Sequence, residues 1–203
     1  MKIICVGRNY VKHIEELKNE VPDQPAIFMK HENALLTGNT FFLPSFSSEI
    51  HHEIELVFRF SKKIPAASQV SIEDCFDTLT VGIDFTARDI QDKLKEKRLS
   101  WELSKAFDQS ALVGRFLPVS SFPDFQKIDF HLDINKNTVQ KGSSSHMIFS
   151  VKDIVIFVSR FITIEKGDLL FTGTPQGVGR VNNGDLLEGY LMNEKLFEVA
   201  VNE

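Results

Sequence analysis

Residues 50–60, IHHEIELVFRF, alternate apolar and polar side chains with the period of an extended strand. His52, Ile54, Leu56, Phe58 and Phe60 share one face, while His51, Glu53, Glu55, Val57 and Arg59 share the other. An antiparallel strand with one wet side gives the same alternation. A second run, TLTVGID, is almost continuously apolar until it ends on Asp84, where a buried strand delivers a side chain into a loop. Oxygen ligands suit hard divalent cations, and a Glu-x-Glu pair sets two carboxylates on one side of a strand. Glu53, Glu55 and Asp84 are therefore the candidate metal ligands, for one Mg²⁺ or Mn²⁺ per chain.

The rest of the chain reads mainly as strands. IICVG, AIFMK, IDFHLDI, DLLFTG, DLLEGYL and KLFEVAV carry the alternation or the β-branched and aromatic content of strands. INKNT and LMNEKL read as hairpin turns in which Asn tolerates positive φ. Three segments read as helices: VKHIEELK, TARDIQDKLKEKRL opening at Thr86, and SVKDIVIFVSRFI with Ser150 as N-cap and Asp153 three residues on. Strands outnumber helices without alternating regularly with them, which disfavours a doubly wound parallel sheet and predicts a strand-dominated α+β fold. No linker or repeat divides the chain, and KGSSS at 141–145 reads as a short exposed loop.

The chain has 203 residues, enough for one domain with a sizeable core. Its net charge of -5, with no Lys/Arg stripe, argues against nucleic-acid binding. Cys5, in an apolar run, and Cys75, in an amphipathic one, each read as small buried hydrophobes, so a reducing, cytoplasmic setting is expected. The first ten residues are too short and too polar for a signal peptide, and no apolar run approaches the roughly 20 residues that span a bilayer.

Other polar positions point the same way. His13 and Glu16 lie three apart on a helical pattern, so they face one way, although an ordinary solvent-facing pair has the same spacing. A carboxylate beside an imidazole fixes its tautomer, as a general base requires. The segment KNEVPDQP that follows is polar and rich in breakers, suited to a closing segment. Arg88 and Gln91 share a helix face just beyond Asp84. Three carboxylates around a doubly charged ion leave the site negative, so an anionic ligand would need a cation nearby. Lys105 and Arg88 are the candidates. TGTPQGVG is a Gly-rich turn whose Thr174 hydroxyl and backbone N–H groups can meet a carboxylate, and it lacks the Gly-Lys-Ser/Thr ending of a phosphate loop.

GRNY at residue 7, HHEIEL, VGIDFTARDIQ, WELSKAFDQSA and FTGTPQGVGRV occur in that order, and together they resemble the fumarylacetoacetate hydrolase family, most of all its short acylpyruvase/oxaloacetate decarboxylase branch. The resemblance runs from residue 7 to the C-terminus. It implies the family's mixed β-sandwich roll as one domain over residues 1–203, with a mobile lid over about 11–24, and a homodimer. It places His13 and Glu16 on that lid as the pair that activates water, and Lys105, Arg88, Gln91 and Thr174 at the substrate. The activity it implies is metal-dependent hydrolysis of the carbon–carbon bond of acylpyruvates to pyruvate and a carboxylic acid. The same site suits oxaloacetate decarboxylation or tautomerisation, and isomerisation of 2-hydroxyhepta-2,4-diene-1,7-dioate. A non-catalytic 2-oxo acid binding protein is the alternative from another class. Lys30 is followed by His31 where short members of the family usually carry Pro, a departure expected to touch substrate preference. His51, on the face of the Glu pair, is either a supporting residue or an uninvolved polar one.

Overall fold

The structure is a computed structural model that describes residues 1–16, 20–67 and 74–203, with only the backbone of Glu15. In chain order its strands are β1 (Lys2–Gly7), β2 (Ala26–His31), β3 (Thr40–Phe42), β4 (Ile50–His52), β5 (Ile54–Phe60), β6 (Phe76–Asp84), β7 (Thr86–Ala87) and β8 (Ala111–Val113). They continue with β9 (Leu117–Pro118), β10 (Asp129–Ile134), β11 (Asn137–Ser143), β12 (Leu169–Phe171), β13 (Gly179–Arg180), β14 (Leu186–Leu191) and β15 (Glu194–Asn202). The helices are α1 (Val11–Glu16), α2 (Arg88–Glu96), α3 (Glu102–Lys105) and α4 (Val151–Ser159). The fold is the expected strand-dominated α+β type.

A mixed seven-stranded sheet runs β2-β1-β12-β5-β6-β8, with β9 also paired to β6. β12 lies parallel to β1 and antiparallel to β5, so a late strand is threaded between two early ones. A five-stranded sheet runs β11-β10-β14-β15-β3, and a small one runs β13-β4-β7. Leu56, Phe58, Leu79 and Val81 of the first sheet pack with Leu132, Leu187 and Val199 of the second in the main apolar core. Val57, on the other face of β5, packs with Ile3, Cys5, Leu169 and Phe171 in a smaller core. The central strands are thus covered on both faces, where alternation had suggested an apolar side and an acidic side.

Local details follow the chemistry with a few departures. Run 50–60 is two strands rather than one, broken at Glu53, with β4 and β5 in different sheets. Thr86 does not open the helix, because Thr86 and Ala87 pair with β4 and α2 begins at Arg88. α4 starts with the expected capping box, in which Ser150 Oγ accepts from the Asp153 N–H and the Asp153 carboxylate accepts from the Ser150 N–H. In the hairpin after β10, Asn135 and Lys136 both take positive φ; after β14 the left-handed residue is Met192 instead of the Asn beside it. KGSSS is not an exposed loop: β11 extends to Ser143, and Ser144 is buried and accepts from the Ile128 N–H. The expected lid falls partly on residues 17–19, which lie outside the described residues, and no described helix is long and apolar enough to cross a membrane.

Candidate active site

The antiparallel register of β5 and β6 sets Ile54 against Ile83, and the Asp84 N–H bonds to the Glu53 carbonyl at 2.9 Å. Glu53 and Asp84 are therefore cross-strand neighbours, and Glu55 stands one pleat further along, opposite Gly82. One carboxylate oxygen from each of Glu53, Glu55 and Asp84 can be chosen so that all lie within 4.8 Å of one another, and all three residues are buried. The predicted metal triad converges in space.

Three buried cations surround it. Lys105, at the end of α3, places Nζ 2.7 Å from Glu53 Oε2, 2.5 Å from Asp84 Oδ2 and 2.6 Å from Thr86 Oγ1. Lys30, on β2, places Nζ 2.7 Å from Asp84 Oδ1 and donates to Ser110 O at 2.8 Å. Arg88 donates to Glu53, to Gln91 Oε1 and, through Nε, to His51 Nδ1 at 3.3 Å. Arg88, Gln91 and Leu94 form the buried face of α2, so the i, i+3 spacing seats both polar groups together. His51 also bonds Glu49 at 2.9 Å, which makes it a support for the arginine.

The two glutamates experience opposite electrostatics. Burial pushes the Glu53 carboxyl up, but the Lys105 and Arg88 charges outweigh burial and hold it well below the usual range. Burial and the Asp84 charge push Glu55 well above the usual range. Glu55 accepts a 2.7 Å bond from the Gly173 N–H but has no ion-pair partner among the described residues. A hard divalent ion among the three would supply the cation that Glu55 lacks, so the donor set fits such an ion.

His13 sits on α1 with its imidazole buried at the cavity, and its Nδ1 stands 3.5 Å from Glu16 Oε2. Burial lowers its proton affinity more than Glu53 and Glu16 raise it, leaving a neutral base near pH 7. Glu16 does not line the cavity; its carboxylate accepts from the Gly177 N–H at 3.2 Å, tying α1 to the Gly-rich turn. Thr174 lines the cavity and is held by the buried Gln140, whose amide nitrogen donates to Thr174 Oγ1 at 3.0 Å and whose Oε1 accepts from the Ile54 N–H. Asn9 of the GRNY segment bonds the Thr172 carbonyl at 2.8 Å and both N–H and C=O of Phe149, which anchors β1's exit beside the same turn. Eight of the nine residues expected at the site line one cavity, with Glu16 behind it. Sequence reasoning did not place Lys30, Arg8, Lys95, Trp101 and Gln140 at the site; Arg8 and Trp101 carried a signal as members of GRNY and WELSKAFDQSA, and Lys30 through the departure beside it at His31.

A buried carboxylate triad ringed by cations, set at the strand ends of a mixed sheet, is a donor set that could hold a divalent ion. The model of the fumarylacetoacetate hydrolase C-terminal domain matches residues 2–198, and the chain belongs to that family and is an enzyme. It is 38% identical over 187 residues to the oxaloacetate tautomerase FAHD1 of Homo sapiens, covering 92% of this chain and 85% of the relative. It is 36% identical over 188 residues to the oxaloacetate tautomerase YcgM of Escherichia coli (strain K12), covering 92% and 86%. The crystal structure of fumarylpyruvate hydrolase from Pseudomonas aeruginosa in complex with Mn²⁺ and pyruvate superposes with a TM-score of 0.92 at 32% identity, covering all of this chain and 89% of that one.

Proposed function

We propose that this enzyme forms and discharges enols of 2-oxo diacids, with keto–enol tautomerisation of oxaloacetate as its main reaction and decarboxylation of the same substrate as a companion. The observation that carries this reading is the balance of charge: three carboxylates face three buried cations, Lys30, Arg88 and Lys105. With a divalent ion added, that set carries excess positive charge, which suits a substrate with two carboxylates better than one with a single carboxylate. The names of the tautomerase relatives support the same substrate.

Glu53, Glu55 and Asp84 would hold Mg²⁺ or Mn²⁺, as an Mn²⁺-bound relative supports. The ion, when bound, supplies Lewis-acid polarisation of a 2-oxo group. The neutral His13 imidazole takes the proton from C3 and, as imidazolium, gives it to the 2-oxygen to complete the enol, the reverse transfers restoring the keto form, with Glu16 orienting the ring. The Lys105 ammonium stands beside the oxygen on which charge gathers. Gln91 and Thr174 line the same cavity and offer polar groups to the substrate. Hydrolysis of acylpyruvates is the second reading, favoured by the buried His13–Glu16 pair, which is equally suited to activating water.

The enol form of oxaloacetate absorbs in the ultraviolet, so its conversion can be followed directly. We expect acceleration with Mg²⁺ or Mn²⁺, loss with EDTA, and a fall of about 100-fold or more in His13→Ala, the range of general-base contributions. Turnover of acylpyruvates with none of oxaloacetate would reverse the order of the two readings. Absence of turnover on any 2-oxo acid would favour a binding protein.

A further inference from the structure

The two inner cations are largely engaged by the protein. Lys105 directs its three N–H groups at Glu53, Asp84 and Thr86, and Arg88 directs three of its five at His51, Gln91 and Glu53. A substrate carboxylate away from the triad calls for further cations. Two further cations line the same cavity, Arg8 and Lys95.

Arg8 has no ion-pair partner among the described residues. It follows Gly7 at the end of β1 with φ 59, a left-handed conformation that a residue with a long side chain rarely takes. Its guanidinium lies 5.7 Å from the centre of the Trp101 ring, and that ring packs edge-on against Phe28. The backbone kink and the indole together aim a cation along the cavity wall. Lys95 sits on α2 one turn beyond Gln91, and its nearest carboxylate, Asp92, is 4.0 Å away. Burial and the charges of Arg88 and Arg8 hold the Lys95 ammonium below the usual range, with Asp92 and Glu53 opposing them. Two cations on one cavity wall, one without an ion-pair partner among the described residues and the other with a partner only at 4.0 Å, make a receptor for an anion.

We propose that Arg8 and Lys95 form a distal-carboxylate subsite that selects 2-oxo diacids over 2-oxo monoacids. The inference rests on the reading of the triad as the end that holds the 2-oxo acid group. Arg8 presents a flat fork suited to a carboxylate, Lys95 adds a point charge, and Trp101 walls the pair on one side. The step is binding alone and needs no further reactant.

The test compares two ligands on the Mn²⁺-loaded protein by calorimetry. 3,3-Difluoro-oxaloacetate carries both carboxylates but no C3 proton to lose; 2-oxobutyrate lacks the distal carboxylate. We expect the wild type to prefer the diacid by about tenfold or more, the worth of one charge-assisted contact. Arg8→Asn keeps a residue that tolerates positive φ while removing charge and reach, and Lys95→Met changes a partly exposed helical position. Each should cut the preference several-fold, and the double variant should bring it to about twofold or less with 2-oxobutyrate affinity unchanged. A preference that survives in the double variant, or an equal loss for both ligands, overturns the subsite. A preference that depends on Arg8 and Lys95 in a protein that does not turn over oxaloacetate sustains the subsite and overturns the activity assigned above.

Discussion

The carboxylate site and the outer face of the five-stranded sheet handle charge in opposite ways. In the first, Glu53, Glu55, Asp84, Lys30 and Lys105 are all buried. On the second, Lys195 of β15 bridges Glu188 at 2.8 Å and Glu198 at 2.6 Å, with the lysine side chain 41% exposed. The contacts are of similar length, but their surroundings differ. Water screens the outer cluster and can replace any member of it. Inside the site the charges are buried, and each depends on its neighbours for its ionisation and its place. The lesson is that ion pairs of equal geometry serve different ends: the buried ones hold a reactive arrangement, and the outer ones decorate a face.

Lys30→Met breaks the comparison most severely, because it leaves the buried Asp84 without one of its two cations. We expect a loss of about 3 kcal/mol in urea denaturation, the scale for removing one partner of a buried pair. A loss below about 0.5 kcal/mol, the surface-pair range, would erase the distinction between the site and the outer face.

Asp168 sharpens it at an intermediate level. The residue is buried before β12; its carboxylate accepts from the N–H groups of Lys2 and Glu165 and pairs with the half-exposed Lys2 ammonium at 2.7 Å. Burial pushes its carboxyl up, and these bonds more than compensate, holding it below the ordinary 3.8. A depressed carboxylate stabilises the fold fully above its unfolded value, and the contribution disappears as pH falls through the folded value. Asp168→Asn should therefore cost about 1 kcal/mol at neutral pH, and the gap from wild type should close as the solution is acidified below pH 3.8. A gap that stays constant down to acid pH would mean that the charge contributes nothing.

The smallest effect belongs to the outer face. Lys195→Met should leave the urea midpoint unchanged within error and should respond to salt no differently from wild type. A clear loss there would show that the five-stranded sheet relies on its charges as the site does.

The sequence made the strands legible because the central ones, covered on both faces, are short runs rich in β-branched and aromatic residues, and it made the triad legible because Glu-x-Glu and a strand-ending Asp are local signals. What it could not reveal depends on distant pairing. Lys30 looks like an ordinary lysine in AIFMKH; only the placement of β2 and the Ser110 loop brings it to Asp84. The break at Glu53 carries no Gly or Pro, since it arises where β4 leaves to pair with β7 and β13. Ser144 and its neighbours read as a loop by composition, yet Gln140 just before them is the buried link between β5 and Thr174. Met192 takes the left-handed position of its hairpin because register, and not residue type, chose it.

The central claim is that Glu53, Glu55 and Asp84 grip one doubly charged ion. Glu55→Gln tests it most directly, since glutamine can still accept from the Gly173 N–H while the charge is lost. Titration with Mn²⁺, read by electron paramagnetic resonance, should show one ion per chain in the wild type and an affinity lower by more than about tenfold in the variant, beyond the lower end of outer-shell effects. Equal Mn²⁺ affinity in the two proteins, with both folded, would contradict the account.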